Sequence, residues 1–198
     1  MLFDKLKNRR IILASNSPRR RELMADAGFD FEVAPKYEVV ECFPSGMSAG
    51  KVATYLSRLK SKSFPRRLEP NEILITADTI VVVGDEILGK PIDRNDAIRM
   101  LTTLSGRSHK VITGVTIRTD NRIKSFAGHS TVRFNKLSAE EINYYVNNYS
   151  PMDKAGAYGI QEWIGYIGIK GISGSFYNVM GLPIQQLYCE LDKFVTDV

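Results

Sequence analysis

The chain has 198 residues and a hydrophobic fraction of 43%, which is enough to bury a substantial core and favours one domain over residues 1–198. The chain has 27 lysine and arginine residues and 22 aspartate and glutamate residues, which gives a net charge of +5. Because this excess is modest and no long basic run occurs, the charge disfavours a duplex-DNA binder and suits a protein with a pocket for a small polyanion. No run of residues approaches the roughly 20 apolar residues of a membrane span, so we expect a soluble protein. Cys42 and Cys189 lie far apart in the sequence and match no metal or redox motif, so we expect both to be free thiols in the cytoplasm.

A short polar turn joins the first strand to the first helix. Residues 11–14 are an apolar run of strand type, and residues 18–27 carry apolar side chains at helical spacing. Ser17 suits the N-cap and the proline after it suits the first helical turn, so free N–H groups face the mouth of the turn. Arg19 and Arg20 lie where the helix dipole disfavours cations. The pattern indicates either a bound phosphorylated ligand or a solvated basic helix start.

The middle of the chain alternates strands and helices. The patterns predict helices that begin at Ser48 and Asp93, and a hairpin turn at Gly84-Asp85. They predict strands at 31–34, 73–77, 80–83, 87–88, 111–118 and 123–134. The last two are expected to form an antiparallel pair.

The sequence after residue 134 predicts two helices and two short strands. Ser138 and Glu141 form a capping box that opens a helix through Tyr145, and Pro183 starts the last helix. Strand-like segments lie at 158–160 and 164–169, and the Gly- and Ser-rich run 171–181 is expected to be a loop that approaches a ligand. Because helices and strands interleave, the predicted class is a mixed α/β fold.

Two carboxylates are candidates for chemistry. Asp78 follows the apolar strand 73–77, the position at which α/β proteins present catalytic or metal-binding carboxylates. The alternative, by position alone, is a turn-capping aspartate. Glu41 lies in the polar loop 35–47 and could join Asp78, since Mg²⁺ takes only one or two protein carboxylates beside phosphate oxygens. Glu38 in the same loop is more typical of a solvated charge.

Other motifs are less specific. Lys90, before a proline, could neutralise phosphate charge, although an exposed loop lysine is the commoner case. A single histidine such as His109, with no serine or second histidine arranged near it, is weak evidence for a catalytic triad. The glycine-rich stretches contain neither a Walker A nor a Rossmann fingerprint, which argues against a kinase and an NAD-dependent enzyme.

Several short motifs, each weak alone, occur in one order along almost the whole chain. The chain carries Ser15-Asn16-Ser17-Pro18-Arg19-Arg20, Lys60, Ala77-Asp78-Thr79, Gly89-Lys90-Pro91, 104–109 with Thr113-Gly114-Val115, 153–161, Gly174-Ser175 with Asn178-Val179, and Gly181-Leu182-Pro183. Through them the chain resembles the Maf-like nucleotide pyrophosphatases, also known as septum formation inhibitors.

The resemblance implies an elongated, twisted sheet flanked by helices, with two lobes around a deep cleft, related to the inosine triphosphate pyrophosphatases. It also implies hydrolysis of a nucleoside triphosphate between the α and β phosphates, giving monophosphate and pyrophosphate, with a divalent metal, Mg²⁺ or Mn²⁺. The alternative is a non-enzymatic, nucleotide-binding regulator of cell division. No nucleic-acid or membrane partner is expected, and a homodimer stays open.

The resemblance also implies roles for individual residues. Asp78 matches the catalytic acidic residue, while Arg19, Thr79 and Gln161 mark the subgroup that acts on dTTP and UTP and differs from the one that acts on 7-methyl-GTP. The family often has Asp-Glu where this chain has Val40-Glu41, so Glu41 is the expected metal ligand beside Asp78. As a hypothesis, the triphosphate is held by Ser15, Ser17, Arg19, Arg20, Lys60 and Lys90.

Overall fold

Seven strands form one open sheet in the computed structural model, which describes residues 1–196. The strands are β1 (Arg10–Leu13), β2 (Glu32–Val33), β3 (Glu72–Val83), β4 (Glu86–Leu88), β5 (Ser108–Arg118), β6 (Ile123–Phe134) and β7 (Ile169–Gly174). Their order is β2-β1-β3-β5-β6-β7, with β4 paired to β3. Strand β1 is parallel to β2 and β3, whereas β4 and β7 pair antiparallel to their neighbours, so the sheet is mixed, as predicted.

Helices lie between most of these strands in the chain. They are α1 (Leu2–Leu6), α2 (Pro18–Asp26), α3 (Ala49–Lys62), α4 (Arg94–Leu104), α5 (Ala139–Tyr149), α6 (Trp163–Gly168), α7 (Phe176–Met180) and α8 (Ile184–Thr196). The Asp93 cap and the Ser138–Glu141 capping box are both confirmed: Asp96 N–H donates to Asp93 Oδ1 (2.8 Å) and Glu141 N–H donates to Ser138 Oγ (3.1 Å). The predicted mixed α/β class is therefore confirmed.

The chain divides into two compact units. The first contains residues 1–78, 113–128 and those from 181 on. Its core includes Ile12 and Leu74 of the parallel strands β1 and β3. Here α3 lies against β5 with no space to spare, because a Cβ on Gly114 would lie 2.3 Å from the backbone carbonyl of Ala53.

The second unit contains residues 79–112 and 129–180. Its core is built from buried apolar residues of α4, α5, α6 and the strand segments of this unit, with Tyr145 and Leu101 fully buried. Arg94 donates to the side-chain oxygens of Asn143 (2.8 Å) and Asn147 (3.0 Å), which joins the start of α4 to α5.

The structure corrects four predictions from the sequence, three of them on strands. The strands predicted at 73–77 and 80–83 are one strand, β3, so Asp78 lies inside a strand and not at its end. The predicted strand at 158–160 is irregular. Residues 164–169, predicted as a strand, are mostly helix α6, because burial falls on Ile164 and Gly168, four residues apart and therefore on one helical face.

The run 171–181 is likewise not a single loop, since it contains the end of β7 and all of α7. Its register to β6 pairs Ser130 with Gly174 and Val132 with Ile172. At position 174, glycine allows β7 to lie close to β6. A Cβ on Gly174 would lie 2.8 Å from the carbonyl oxygen of His129.

Candidate active site

The turn before α2 begins the helix at the position that the sequence predicted. Ser17 occupies the N-cap position with an extended backbone, but its side chain makes no capping hydrogen bond. Its own N–H donates to the hydroxyl oxygen of Ser15 (3.3 Å). Because the first N–H groups of a helix lack intrahelical partners, this end of α2 presents donors and a positive dipole to an anion. Arg19 lies partly buried on the same turn.

Arg20 links this turn to the strand that carries Asp78. Its guanidinium is buried; Nε donates to the carbonyl of Gly181 (2.7 Å), and Nη1 donates to the carbonyl of Ala77 (2.7 Å) and to Ser15 Oγ (3.3 Å). Burial lowers the pKa of Arg20, and the charge of Asp78 opposes that effect. The side chain therefore acts between protein groups, and its contact with phosphate stays a prediction.

Lys60 brings the two candidate carboxylates together. Its ammonium lies 2.6 Å from Asp78 Oδ1 and 2.8 Å from Glu41 Oε2. Helix α3 carries Lys60 in its last turn, where the Tyr37 hydroxyl donates to the Lys60 carbonyl (2.8 Å). The lysine side chain is 15% exposed, so this cation is shielded from water and its attraction to both carboxylates is strengthened.

Asp78 is a buried carboxylate whose proton affinity is altered by its surroundings. Burial raises the pKa of Asp78, while the nearby charges of Lys60 and Arg20 pull it back down. A raised pKa makes an aspartate a stronger base than it is in water. The hydrogen bond from Lys60 also fixes one carboxylate oxygen, so the group is held in a defined orientation.

The donor set fits a hard divalent cation. Glu41 and Asp78 share Lys60 and so converge on one point, and their carboxylate oxygens are ligands that Mg²⁺ and Mn²⁺ prefer. Residues 1–196 contain no group of three or more His, Cys, Asp or Glu that could hold a metal. Mg²⁺ needs only one or two protein carboxylates when waters and phosphate oxygens complete its coordination.

Three predicted residues belong to the second unit. Thr79 directly follows Asp78 in β3, and its side chain is half-buried. Lys90 is exposed and follows Gly89, whose carbonyl accepts from the Gly156 N–H (2.9 Å). That hydrogen bond holds the predicted lysine loop to the segment that leads to Gln161.

Gln161 lines a pocket of about 340 Å³ in the second unit, together with Tyr166, Lys170, Ile172 and Phe176. Its Oε1 is buried and has no hydrogen-bond partner among the described residues. A buried acceptor without a partner costs free energy, and such atoms are rare in folded proteins. This oxygen is therefore a candidate for a ligand that donates a hydrogen bond.

A polar network next to Gln161 was not anticipated from the sequence. The carboxylate of Glu162 accepts a short hydrogen bond from the Tyr145 hydroxyl and lies 3.1 Å from Lys154 Nζ, which also contacts Asp153 (2.7 Å). We refer to Tyr145, Lys154 and Glu162 as the Glu162 network. Burial and the contact with Glu162 raise the pKa of Tyr145, so its hydroxyl remains a donor. The acidic and basic residues were visible in the sequence, but nothing in their spacing indicated the pairing.

His109, Glu38 and the two cysteines take no part in the contacts described above. His109 is buried, and its Nε2 lies 2.8 Å from the Tyr158 hydroxyl. Glu38 is exposed, as expected of a solvated charge. Both cysteines are free thiols, and Cys42 is exposed directly after Glu41. Among residues 1–196, no helix is long and apolar enough to cross a membrane.

Comparison with known proteins places these residues in a family. The sequence model of the family described as "Maf-like protein" matches residues 10–194. The chain is 54% identical to a protein named dTTP/UTP pyrophosphatase from Bacteroides thetaiotaomicron, over 97% of this chain and 100% of the relative. It is 49% identical to one of the same name from Parabacteroides distasonis, over 98% and 100%.

A solved structure of a HAM1 protein from Coxiella burnetii is also similar, with a TM-score of 0.47 and 14% identity over 93% of this chain and 99% of that chain. The assignment rests on the family model, which matches residues 10–194, and on the sequence relatives, which span nearly the whole chain. On that evidence, the chain belongs to the Maf family.

Proposed function

We propose that this protein is a nucleoside triphosphate pyrophosphatase that hydrolyses dTTP and UTP to the monophosphate and pyrophosphate. The observation that carries the proposal is the buried lysine, Lys60, which joins Glu41 to Asp78 in the unit that contains the uncapped start of α2. The relatives named dTTP/UTP pyrophosphatase favour this activity over a non-enzymatic regulator of cell division. With its free thiols, such an enzyme is expected in the cytoplasm.

The phosphate end of the substrate is assigned to a basic and hydroxyl-bearing set. The positive end of the α2 dipole and the hydroxyl groups of the turn attract and bind the phosphate oxygens, and the cations offset the phosphate charge. The set consists of Ser15, Ser17, Arg19, Arg20, Lys60 and Lys90. Arg20 also contributes by holding Ser15 against the carbonyl of Ala77, since its Nη1 donates to both.

A divalent cation, Mg²⁺ or Mn²⁺, would be held by Glu41 and Asp78. When bound, it neutralises charge on the phosphate oxygens of the leaving pyrophosphate. Asp78 orients the attacking water and accepts its proton, a role that its burial favours by raising its pKa. Lys60 holds one oxygen of Asp78 in place, which fixes the orientation of the carboxylate.

The choice of base is assigned to Arg19, Thr79 and Gln161. The buried Oε1 of Gln161 would accept the N3–H of a thymine or uracil ring. Cytosine has no proton at N3, so CTP would leave the buried oxygen without a partner, and a site of this kind discriminates strongly. ATP, GTP and 7-methyl-GTP present larger rings with different edges and are expected to be poor substrates.

The proposal is tested by measuring initial rates of pyrophosphate release in the presence of Mg²⁺. The rates are compared between six nucleotides: dTTP, UTP, CTP, ATP, GTP and 7-methyl-GTP. We expect dTTP and UTP to exceed every other nucleotide in kcat/KM by about tenfold or more, as one unsatisfied hydrogen-bonding group costs 1–3 kcal/mol. A preference for ATP or 7-methyl-GTP would contradict the substrate assignment. Nucleotide binding without turnover would favour the regulator instead.

A further inference from the structure

Residues 159–162 form a tight turn whose two ends are tied to the same buried groups. The Glu162 N–H donates to the Gly159 carbonyl (3.0 Å), which closes the turn. The Gly159 N–H donates to the Tyr145 hydroxyl (2.9 Å), and that hydroxyl donates to the Glu162 carboxylate. Gln161 lies between these two fixed points.

Close packing removes the remaining freedom of this turn. A Cβ on Gly159 would lie 2.7 Å from the Glu162 carboxyl carbon, so the carboxylate rests directly against the Gly159 backbone. On the other side, the Gly165 N–H donates to the Glu162 carbonyl (2.8 Å), which ties the turn to the first turn of α6. The backbone that carries Gln161 is thus fixed before, within and after the turn.

The ionic part of the network is unusual for a purely structural element. Lys154 has a side chain that is 8% exposed, and Glu162 one that is 20% exposed, so both charges are removed from most of the solvent. Buried ion pairs of this kind often add no stability over apolar residues of the same size. A positional requirement is a better reason for them, and the adjacent Gln161 has a buried oxygen that lacks a partner in the described part of the chain.

We propose that Tyr145, Lys154 and Glu162 are positioning residues that hold the Gln161 amide oxygen at its pocket to accept the N3–H of a uracil or thymine ring. This inference rests on the proposed function. None of the three side chains needs to touch the nucleotide. Their removal should therefore weaken the choice between bases and leave recognition of the phosphate chain unchanged.

The test compares Tyr145→Phe and Glu162→Gln with the wild type in three measurements: kcat/KM for UTP, kcat/KM for CTP, and the inhibition constant of tripolyphosphate, which has no base. We expect the UTP-to-CTP ratio to fall by about tenfold or more in both variants, as misplacement of a contacting group by an ångström has effects of this order or larger. The inhibition constant of tripolyphosphate should stay within about twofold, because the phosphate ligands are unchanged.

Two matched controls come from α5, the helix that carries Tyr145. Tyr144→Phe and Glu140→Gln make the same chemical changes at exposed positions of α5 and should leave the ratio as it is in the wild type. If either network variant does not fold, as judged by circular dichroism, Glu162→Asp replaces it, because this change keeps the charge beside Lys154 but withdraws the carboxylate from Tyr145.

The outcomes separate the inference from the proposed function. An unchanged ratio in a folded variant whose melting temperature has fallen would show that the network only stabilises the unit, and would overturn the inference alone. A wild-type protein that turns over neither UTP nor dTTP would overturn the proposed function and the inference together.

Discussion

At the scale of the residue, Lys60 determines how two carboxylates can lie close together. Without a cation between them, Glu41 and Asp78 would repel each other and raise each other's pKa. The ammonium, within 2.8 Å of one oxygen of each carboxylate, offsets that repulsion. The arrangement therefore keeps a concentrated negative charge ready for a cation at little electrostatic cost.

Asp78→Asn tests the role of the buried carboxylate directly. Asparagine retains an oxygen that can accept the Lys60 hydrogen bond, but it can neither take up a proton nor bind a cation strongly. We expect kcat to fall by about 10²- to 10⁴-fold, the usual contribution of a general base. Steady-state kinetics with dTTP measures the loss, and calorimetric titration with a non-hydrolysable dTTP analogue shows whether binding survives or tightens. Near wild-type turnover would remove Asp78 from the mechanism.

Arg20→Ala is expected to affect stability and activity together. The change removes the two hydrogen bonds from the charged Arg20 to the carbonyls of Ala77 and Gly181, which costs on the order of 3 kcal/mol in total. It also frees Ser15 and β3 to move apart, so kcat/KM should fall by roughly 10- to 150-fold. Urea unfolding and steady-state kinetics provide the two values.

The neighbouring Arg21, exposed on the same helix, is the control for that experiment. Arg21→Ala should change neither the midpoint of unfolding nor kcat/KM. A loss of activity in Arg20→Ala with no loss of stability would indicate a phosphate ligand and not a link between the turn and β3.

At the scale of the element, the sequence predicted the long, regular segments and missed the short ones. Capping residues such as Asp93 and Ser138 mark helix starts because their side chains satisfy local N–H groups. The sequence pattern places Asp78 at the end of a strand, yet it lies inside β3, where Lys60, 18 residues earlier, offsets its charge. A partner that distant in sequence leaves no local signal, and the same is true of Tyr145 and Glu162.

The error at 164–169 has a related cause. Isoleucine favours strands and glycine favours neither state, so propensity indicates a strand. The choice is made by tertiary contact instead, because a Cβ on Gly165 would lie 1.8 Å from the carbonyl oxygen of Ile160. Only a glycine permits α6 to turn this closely against the preceding turn, and no periodicity in a six-residue segment records that requirement.

Two glycines in the first unit should respond oppositely to the same change. Gly50 lies in the first turn of α3 with nothing within 4 Å of an added Cβ, so Gly50→Ala should stabilise the protein by about 0.5–1 kcal/mol through helix propensity. Gly114→Ala would force the Ala53 backbone and α3 away from β5, and should destabilise it by about 2 kcal/mol or more. Thermal unfolding monitored at 222 nm measures both. Equal midpoints for the two variants would show that the contact between α3 and β5 can relax.

At the scale of the whole molecule, acid should weaken the fold through a single buried histidine. Burial lowers the pKa of His109 to about 4, from 6.5 in the unfolded chain, and its Nδ1 has no hydrogen-bond partner in the described residues. Between these values the unfolded chain binds the extra proton, so stability is complete above about pH 6.5 and is lost as the pH falls toward 4. The expected loss is about 3 kcal/mol.

Urea unfolding at pH 7 and pH 4.5 measures this loss. In His109→Gln the acid-dependent part of the loss should be smaller by about 2–3 kcal/mol, since glutamine does not titrate in this range. His129→Gln, at an exposed position, should behave as the wild type does. If the free energy of unfolding falls by the same amount in all three proteins between pH 7 and pH 4.5, His109 is not the cause of the loss of stability in acid.

The exposed thiol of Cys42 is a site for a fluorescent label that reports substrate binding. It follows Glu41 directly, whereas the other thiol, Cys189, is half-buried and accepts a hydrogen bond from Gln185 (3.3 Å). A maleimide dye that senses its environment should therefore react first at Cys42, and Cys189→Ser would make the labelling unique. The emission of that dye would then report the arrival of a cation or nucleotide within milliseconds, before any bond in the substrate is broken.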